Sequence, residues 1–190
     1  MKTILINTIS EKINLSKDEI KILHSSFQTV TKNKNEYLVN EGNKSTYLYF
    51  LTKGYIRFFY NEDGNEITTQ IYTEKSFITS FESFIKNNLS KENIQCISDC
   101  TLLRISKNQY ENLYKEISDW SIFCESVYQD YIMKTAERVN SLQNFSASNR
   151  YLNLLQNQPN ITLNAPVKHL ASYLGIKPQS LSRIRKEVIK

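Results

Sequence analysis

The chain has 190 residues, 40% of them hydrophobic, and its 24 basic and 19 acidic residues give a net charge of +5. This length suits one large domain, or one medium domain with a small one, and the apolar content is enough for a buried core. No apolar run reaches the roughly 18 residues of a membrane span. Residues 1–7 lack the apolar core and the cleavage site of a signal peptide. We therefore expect a cytoplasmic protein with no membrane partner.

Sequence motifs for metal binding and catalysis are missing. The three cysteines, Cys96, Cys100 and Cys124, form no disulfide framework and no zinc-ligand spacing, which favours reduced thiols. No P-loop, dinucleotide fingerprint, metalloprotease motif or nucleophile motif is present. We expect a protein that is not an enzyme and holds no metal or cofactor.

The first two thirds of the chain read as a helix followed by short strands. Ser16 and Glu19 match a capping box that starts a helix. The hydrophobic period then becomes two, with Asp63 and Gly64 as a hairpin turn. Aromatic and β-branched runs predict strands near residues 37–39, 47–51, 55–60, 67–72, 77–79, 94–97 and 101–105. Short strands separated by turn signals predict an antiparallel β-roll, also called a jelly roll, within an α+β protein.

A long helix is predicted over residues 118–145, where no Gly or Pro occurs. About 28 residues would span about 42 Å, which is long for a globular helix with no obvious partner inside the chain. A second copy of the same helix would bury its apolar stripe, so we expect a homodimer; packing of the stripe on the roll alone is the alternative. The residues assigned to the dimer interface are Trp120, Cys124, Val127, Tyr131 and Val139.

The C-terminal segment predicts two short helices joined by a glycine turn. Leu170, Ala171 and Leu174 give the first helix an apolar face, Gly175 suits a left-handed cap, and Pro178 suits the first turn of the second helix. A third helix, over residues 147–157, precedes them; the segment holds either strands near residues 161–163 or no strand at all. A helix, a turn and a second helix with an outward polar face are typical of a helix-turn-helix that enters the DNA major groove.

Charge is concentrated in the same C-terminal segment. Residues 147–190 hold seven Lys or Arg and one acidic residue, whereas residues 1–146 hold 17 basic and 18 acidic residues, so the net charge divides into about +6 and −1. A basic segment beside a nearly neutral body is the electrostatic pattern of phosphate binding.

A roll, a long helix and a C-terminal helix-turn-helix, in this order, resemble the Crp/Fnr family of bacterial transcription regulators. The most specific similarity lies in residues 169–176 and 181–185, with further similarity in the hairpin segments 49–54 and 63–67. The resemblance implies three parts: a cyclic-nucleotide-binding-like roll with an N-terminal helix (1–117), a connecting and dimerisation helix (118–145) and a helix-turn-helix DNA-binding domain (146–190).

Family members that bind a cyclic nucleotide carry a Gly-Glu-Leu turn and an Arg-Ser pair that hold the ribose and the cyclic phosphate. Here Thr79, Ser80 and Phe81 replace the first motif, and the second falls near residues 90–92. Lys91 offers a point charge but not the bidentate fork of an arginine. We therefore expect a roll that does not respond to cyclic AMP, and an unknown small-molecule effector stays open. The residues expected near a roll cavity are Phe59, Tyr72, Phe77, Phe81, Tyr131 and Thr135.

The DNA contacts follow from the resemblance and from side-chain chemistry. Arg183 occupies the family's position for a base-reading arginine, whose fork matches guanine O6 and N7. Gln179 replaces a frequent glutamate, and its amide suits adenine. The residues expected at phosphates are Lys168, His169, Ser180, Ser182 and Lys186.

The sequence thus predicts a homodimeric, sequence-specific DNA-binding regulator that recognises a palindromic operator in double-stranded DNA. The alternative is a small-molecule-binding or protein-interaction module with a vestigial helix-turn-helix. A steep salt dependence of DNA binding would distinguish the regulator from the module.

Overall fold

The computed structural model describes residues 1–188, which fold into eight strands and nine helices. The strands are β1 (Gln28–Lys32), β2 (Tyr37–Val39), β3 (Tyr47–Lys53), β4 (Ile56–Glu62), β5 (Asn65–Tyr72), β6 (Ser76–Ile78), β7 (Asn93–Cys96) and β8 (Cys100–Ser106). The helices are α1 (Lys2–Ser10), α2 (Lys17–Ser26), α3 (Phe81–Lys86), α4 (Lys107–Glu116), α5 (Trp120–Asn144), α6 (Ala147–Asn157), α7 (Pro159–Asn164), α8 (Val167–Tyr173) and α9 (Pro178–Val188).

The strands form two four-stranded antiparallel sheets, which together make the β-roll. The strand orders are β1-β8-β3-β6 and β2-β7-β4-β5. The hairpin of β4 and β5 closes at Glu62 and Asn65, and both turn residues between them have positive φ, +48° at Asp63 and +79° at Gly64. That backbone suits the twist of a two-residue hairpin. The prediction of an α+β protein with an antiparallel roll is confirmed.

Two cores stabilise the roll. One lies between the sheets and includes Leu51, Ile56 and Ile94. The other lies where α1, α2, α4 and the first turns of α5 cover Phe50 and Leu103. The capping box expected at the start of α2 is present, since the Ser16 hydroxyl and the Glu19 carboxylate bond each other's backbone N–H.

The last four helices share a third core, which reaches the roll through Ile71 and Ile97. Of the two alternatives for residues 161–163, strands are not formed: these residues belong to α7, whose first helical residue is Pro159. Proline at the first helical position loses no hydrogen bond, which favours a helix start there. No helix within residues 1–188 is long and apolar enough to cross a membrane.

Candidate functional site

The candidate DNA-binding surface is built on α8, the turn at Gly175 and α9. Gly175 has φ +67°, and the next amide, Ile176 N–H, donates to the Ala171 carbonyl at 3.0 Å. This left-handed cap ends α8 and turns the chain toward α9. Leu181 and Ile184 lie buried in the shared core, which fixes the face that α9 presents to solvent.

The outward face of α9 is polar and basic. Gln179, Ser182, Arg183 and Lys186 are exposed, and Ser180 is half-buried. The Arg183 side chain is 76% exposed, and its Nε lies 3.9 Å from a Glu187 carboxylate oxygen. Such a loose surface pair leaves the guanidinium available for another partner. Chemically, this face offers hydrogen-bond donors and positive charge to a groove lined with bases and phosphates.

Arg185 differs from the other basic residues of α9. It is half-buried, and its Nη2 donates to the Thr162 carbonyl of α7 at 2.9 Å. Its positive charge therefore helps to hold α9 on α7.

Lys168 and His169, which the sequence places at DNA phosphates, lie on the side of α8 that faces the roll. Lys168 Nζ donates to a Glu66 carboxylate oxygen at 3.1 Å, on β5. Burial lowers the pKa of His169 to about 4, and the positive charge of Arg57 acts in the same direction. A neutral, half-buried imidazole is a poor phosphate ligand at pH 7.

A buried polar cluster joins α8 to the roll. Glu66 also pairs with Arg57, at 3.1 Å from Nη2, and only 2% of the Arg57 side chain is exposed. The Ser172 hydroxyl donates to the Glu66 carbonyl at 3.0 Å and accepts the Thr68 N–H at 2.9 Å. Sequence reasoning missed this cluster, because the sequence around Arg57 does not show which acidic residue pairs with it.

Four of the six residues expected near a roll cavity do surround one. Tyr72, Phe77, Phe81 and Tyr131 line a cavity of about 80 Å³, here called the roll cavity. Phe59 packs instead under the Arg57 guanidinium, 3.8 Å from the ring centre, and against Tyr37. A β-bulge between residues 58 and 59 shifts the strand register at this point.

The sixth expected cavity residue, Thr135, is exposed on α5. Its hydroxyl donates to the Tyr131 carbonyl one turn earlier, at 2.9 Å.

Hydroxyl groups fill the position that corresponds to the family's phosphate-binding turn. Thr79 is buried, and its hydroxyl contacts the Tyr47 carbonyl at 3.0 Å and the Ser45 hydroxyl at 2.9 Å. Ser80 accepts a hydrogen bond from Ser90 at 3.0 Å. The hydroxyls of Ser45 and Thr79 are therefore engaged within the protein.

Neither charged residue at the same position replaces the family's arginine. Lys91 is exposed, whereas Glu92 is half-buried, and burial raises the pKa of its carboxyl group. Burial thus favours the uncharged form of Glu92, and Lys91 lacks the bidentate fork that suits a cyclic phosphate.

The dimer interface drawn from the sequence needs correction. Trp120 and Cys124 are buried in the roll's own core, so they cannot contact a second chain. Val127 is partly buried against that core, and Tyr131 packs on Phe81 with ring centres 4.8 Å apart. The predicted stripe combined two faces of α5, one of which the roll already covers.

A different apolar line on α5 faces solvent. Of the residues assigned to the interface, Val139 alone is exposed, by 48%, and Ile132 and Leu142 are 61% and 41% exposed. Together with Thr135 they follow spacings of three, four and three residues, the pattern of a coiled-coil seam. We call these four residues the α5 seam. The alternating spacing of three and four residues is visible in the sequence. It was missed because these residues form part of a wider apolar stripe.

Comparison with known proteins agrees with this architecture. Residues 29–116 match the family model described as the cyclic nucleotide-binding domain. FixK2 from Bradyrhizobium japonicum has a similar structure, with a TM-score of 0.76 and 13% identity over 85% of this chain and 84% of that chain. No curated protein sequence is significantly similar to this chain.

Two further solved structures show the same fold. CLP from Xanthomonas campestris, described as a c-di-GMP-responsive global regulator, has a TM-score of 0.71 and 15% identity over 91% of each chain. A structure from Eubacterium rectale assigned to the Crp/Fnr family has a TM-score of 0.72 and 16% identity over 91% of this chain and 83% of that chain. Residues 29–116 therefore match the cyclic nucleotide-binding domain family, and the described chain shares its fold with these solved structures.

Proposed function

We propose that the protein is a homodimeric, sequence-specific DNA-binding transcription regulator that does not respond to cyclic AMP. The observation that carries the proposal is the outward face of α9, where polar and basic side chains stand clear of a fully packed helix-turn-helix core. Arg183 and Gln179 read bases. Ser180, Ser182 and Lys186 contact phosphates and set the position of the helix. Two such helices, related by a dimer axis along α5, recognise a palindrome.

The roll supports the second half of the proposal. In support, the residues that the resemblance assigns to cyclic-phosphate binding include hydroxyls that hydrogen-bond within the protein, with no arginine among them. Calorimetric titration with cyclic AMP is expected to give no binding heat. Saturable binding at micromolar concentration would contradict this half and leave DNA recognition untouched.

The direct test of DNA recognition is selection of bound sequences from a random duplex pool by ligand-free protein. The expected result is a palindrome whose half-sites lie about one helical turn apart. The variant Arg183→Ala with Gln179→Ala should lose sequence preference while its oligomeric state is unchanged. Lys115→Ala, an exposed basic residue on α4, serves as the control and should select the same palindrome as the wild type. The same palindrome from the double variant would overturn the assignment of α9.

Salt dependence separates a regulator from a module with a vestigial helix-turn-helix. Several phosphate contacts per half-site require a steep fall of affinity with salt, roughly 0.9 in the logarithmic slope per phosphate neutralised. Lys186→Ala should reduce that slope by about one per half-site. A shallow slope in the wild type would favour the module.

A further inference from the structure

A second cavity in the described part of the chain lies where the roll, α5 and α6 meet. Its volume is about 390 Å³, within the range of small-molecule sites. We call it the junction cleft. Its walls come from the end of β5, from the second half of α5, from α6 and from the C-terminal end of α8.

The junction cleft collects positive charge. Lys134, Arg138 and Arg150 line it, and Glu137 is the acidic residue among its lining residues, so the charge of the lining is about +2. Neither arginine forms a salt bridge within residues 1–188. Burial lowers the pKa of Arg138, Tyr173 opposes this shift, and the charge of Arg150 adds to it. Two guanidinium groups therefore share one cleft, and neither is paired with the single carboxylate of its lining.

Both arginines are held in place by backbone carbonyls. Arg138 donates through Nε to the Thr69 carbonyl and through Nη2 to the Tyr173 carbonyl, and it stacks 4.3 Å from the Tyr173 ring centre. Arg150 donates through Nε to the Leu174 carbonyl at 3.0 Å and through Nη1 to Phe145. Nη1 of Arg138 and Nη2 of Arg150 donate no hydrogen bond to any residue of the described chain. Each guanidinium is thus held in a fixed orientation and keeps N–H donors that are free to bind a ligand.

Neutral groups complete the lining. Side-chain amides and hydroxyls supply further hydrogen-bonding groups, and Ile71, Leu154 and Phe145 supply apolar surface. The amides and hydroxyls include Gln70, Asn153, Asn157, Tyr72 and Tyr173. A few polar groups on a partly apolar wall are what holds an organic molecule in one orientation.

We infer that the junction cleft is a binding site for a small phosphorylated molecule. A phosphate monoester carries close to two negative charges at pH 7, which matches the +2 lining better than a single carboxylate does. Arginine forks fit phosphate oxygens, and the oriented side chains reduce the entropic cost of binding. The junction cleft shares Tyr72, Ser76 and Lys134 with the roll cavity, and the inference does not rest on the proposed DNA binding.

The site is also placed to influence α8. Arg138, on α5, bonds the roll through Thr69 and the helix-turn-helix through Tyr173. A phosphate that competes for the N–H donors of Arg138 would change its contacts with both the roll and the helix-turn-helix. An effect of the ligand on DNA affinity would follow from that competition only if the proposed function holds.

The experiment is a titration of the full chain with inorganic phosphate and inorganic pyrophosphate, followed by amide chemical shifts. Ionic strength is held constant, and sodium chloride is the reference salt. Saturable shifts are expected at cleft residues such as Gln70 and Tyr173. The variant Arg138→Gln with Arg150→Gln should bind at least about tenfold more weakly, the loss of one charge-assisted hydrogen bond or more.

Two controls keep the result interpretable. Arg104 stacks 4.6 Å from the Tyr47 ring centre, much as Arg138 stacks on Tyr173, but it lies on the roll, so Arg104→Gln should bind like the wild type. If the double variant does not fold, Lys134→Gln changes an exposed residue and should still weaken binding severalfold. Shifts that do not saturate, or equal affinity in wild type and variant, would overturn the proposal. If a short DNA duplex saturates the same amides while inorganic phosphate and pyrophosphate do not, the proposal is also overturned.

Discussion

The carboxylate of Glu66 on β5 binds Lys168 on α8 at 3.1 Å and so joins the roll to the first helix of the helix-turn-helix. The same carboxylate lies 3.1 Å from the guanidinium of the buried Arg57. One acidic group thus serves an exposed cation of the helix-turn-helix and a buried cation of the roll. These two cations depend on Glu66 to different extents. If Glu66 is removed, water can solvate the exposed Lys168, but it cannot reach the buried Arg57.

Glu66→Gln should lower the free energy of unfolding by about 2 kcal/mol, since it removes the one carboxylate that offsets the buried charge of Arg57. Lys168→Gln removes the exposed half of the same cluster and should cost well under about 1 kcal/mol. Urea unfolding of both variants measures the difference. Equal losses would show that Arg57 does not depend on Glu66.

Acid should weaken the contact between α8 and the roll through His169. Burial and the charge of Arg57 lower the pKa of His169 to about 4 from an ordinary 6.5, while Glu66 opposes the shift and Lys168 and Lys34 add to it. The unfolded chain then binds this proton below about pH 6.5 and the folded chain only below about pH 4. Stability from the neutral imidazole is therefore complete above pH 6.5 and is lost as the pH falls toward 4.

Burial also tends to raise the pKa of Glu66, but Lys168 and Arg57 lower it overall. The stability that this carboxylate contributes is lost as the pH falls below the ordinary pKa of a glutamate. Acid therefore destabilises the fold through Glu66 as well as through His169. Urea unfolding at several pH values between 7 and 4 tests the histidine contribution. His169→Asn should show a shallower decline than the wild type over this interval, and parallel curves would contradict the prediction.

Local signals in the sequence account for much of the fold. The hairpin at Asp63 and Gly64, the capping box at Ser16 and the turn at Gly175 are each fixed by a few adjacent residues, and all three are present in the structure. Elements without such a signal were missed. β1 is one of them, since Gln28–Lys32 lies at the edge of its sheet and its residues are exposed or only half-buried.

The candidate site was harder to predict, because its residues depend on packing between distant segments. The outward face of α9 follows from helical periodicity alone. By contrast, Lys168 forms a salt bridge with Glu66, and Phe59 packs under Arg57. Lys168 and Glu66 lie far apart in the chain, so no local sequence pattern reveals their pairing. The assignment of Trp120 to a dimer interface was wrong for a related reason. An apolar stripe in the sequence shows that a helix face is covered, but not whether the same chain or a second chain covers it.

Two glycines with positive φ should respond differently to alanine. Gly42 has φ +80° and open space where the Cβ of an alanine would lie, so Gly42→Ala should cost about 1 kcal/mol from backbone strain alone. Gly54 has φ +107°, and a Cβ there would lie 2.6 Å from the Asp99 carbonyl oxygen and 2.7 Å from Cys100 Sγ. Gly54→Ala should therefore cost about 3 kcal/mol. Urea unfolding compares the two, and equal losses would show that the roll adjusts around residue 54.

The α5 seam should hold two chains together. Val139 and Ile132 are exposed in the single chain and lie on the seam, so a second α5 would bury them. Val139→Asp should convert the dimer to a monomer, because each charge would be buried in the interface without a partner. Ile122→Asp is the matched control, since Ile122 is also exposed on α5, by 54%, but lies off the seam. Sedimentation equilibrium of both variants is the measurement. A monomeric wild type, or dissociation by both substitutions alike, would show that the seam does not form the dimer.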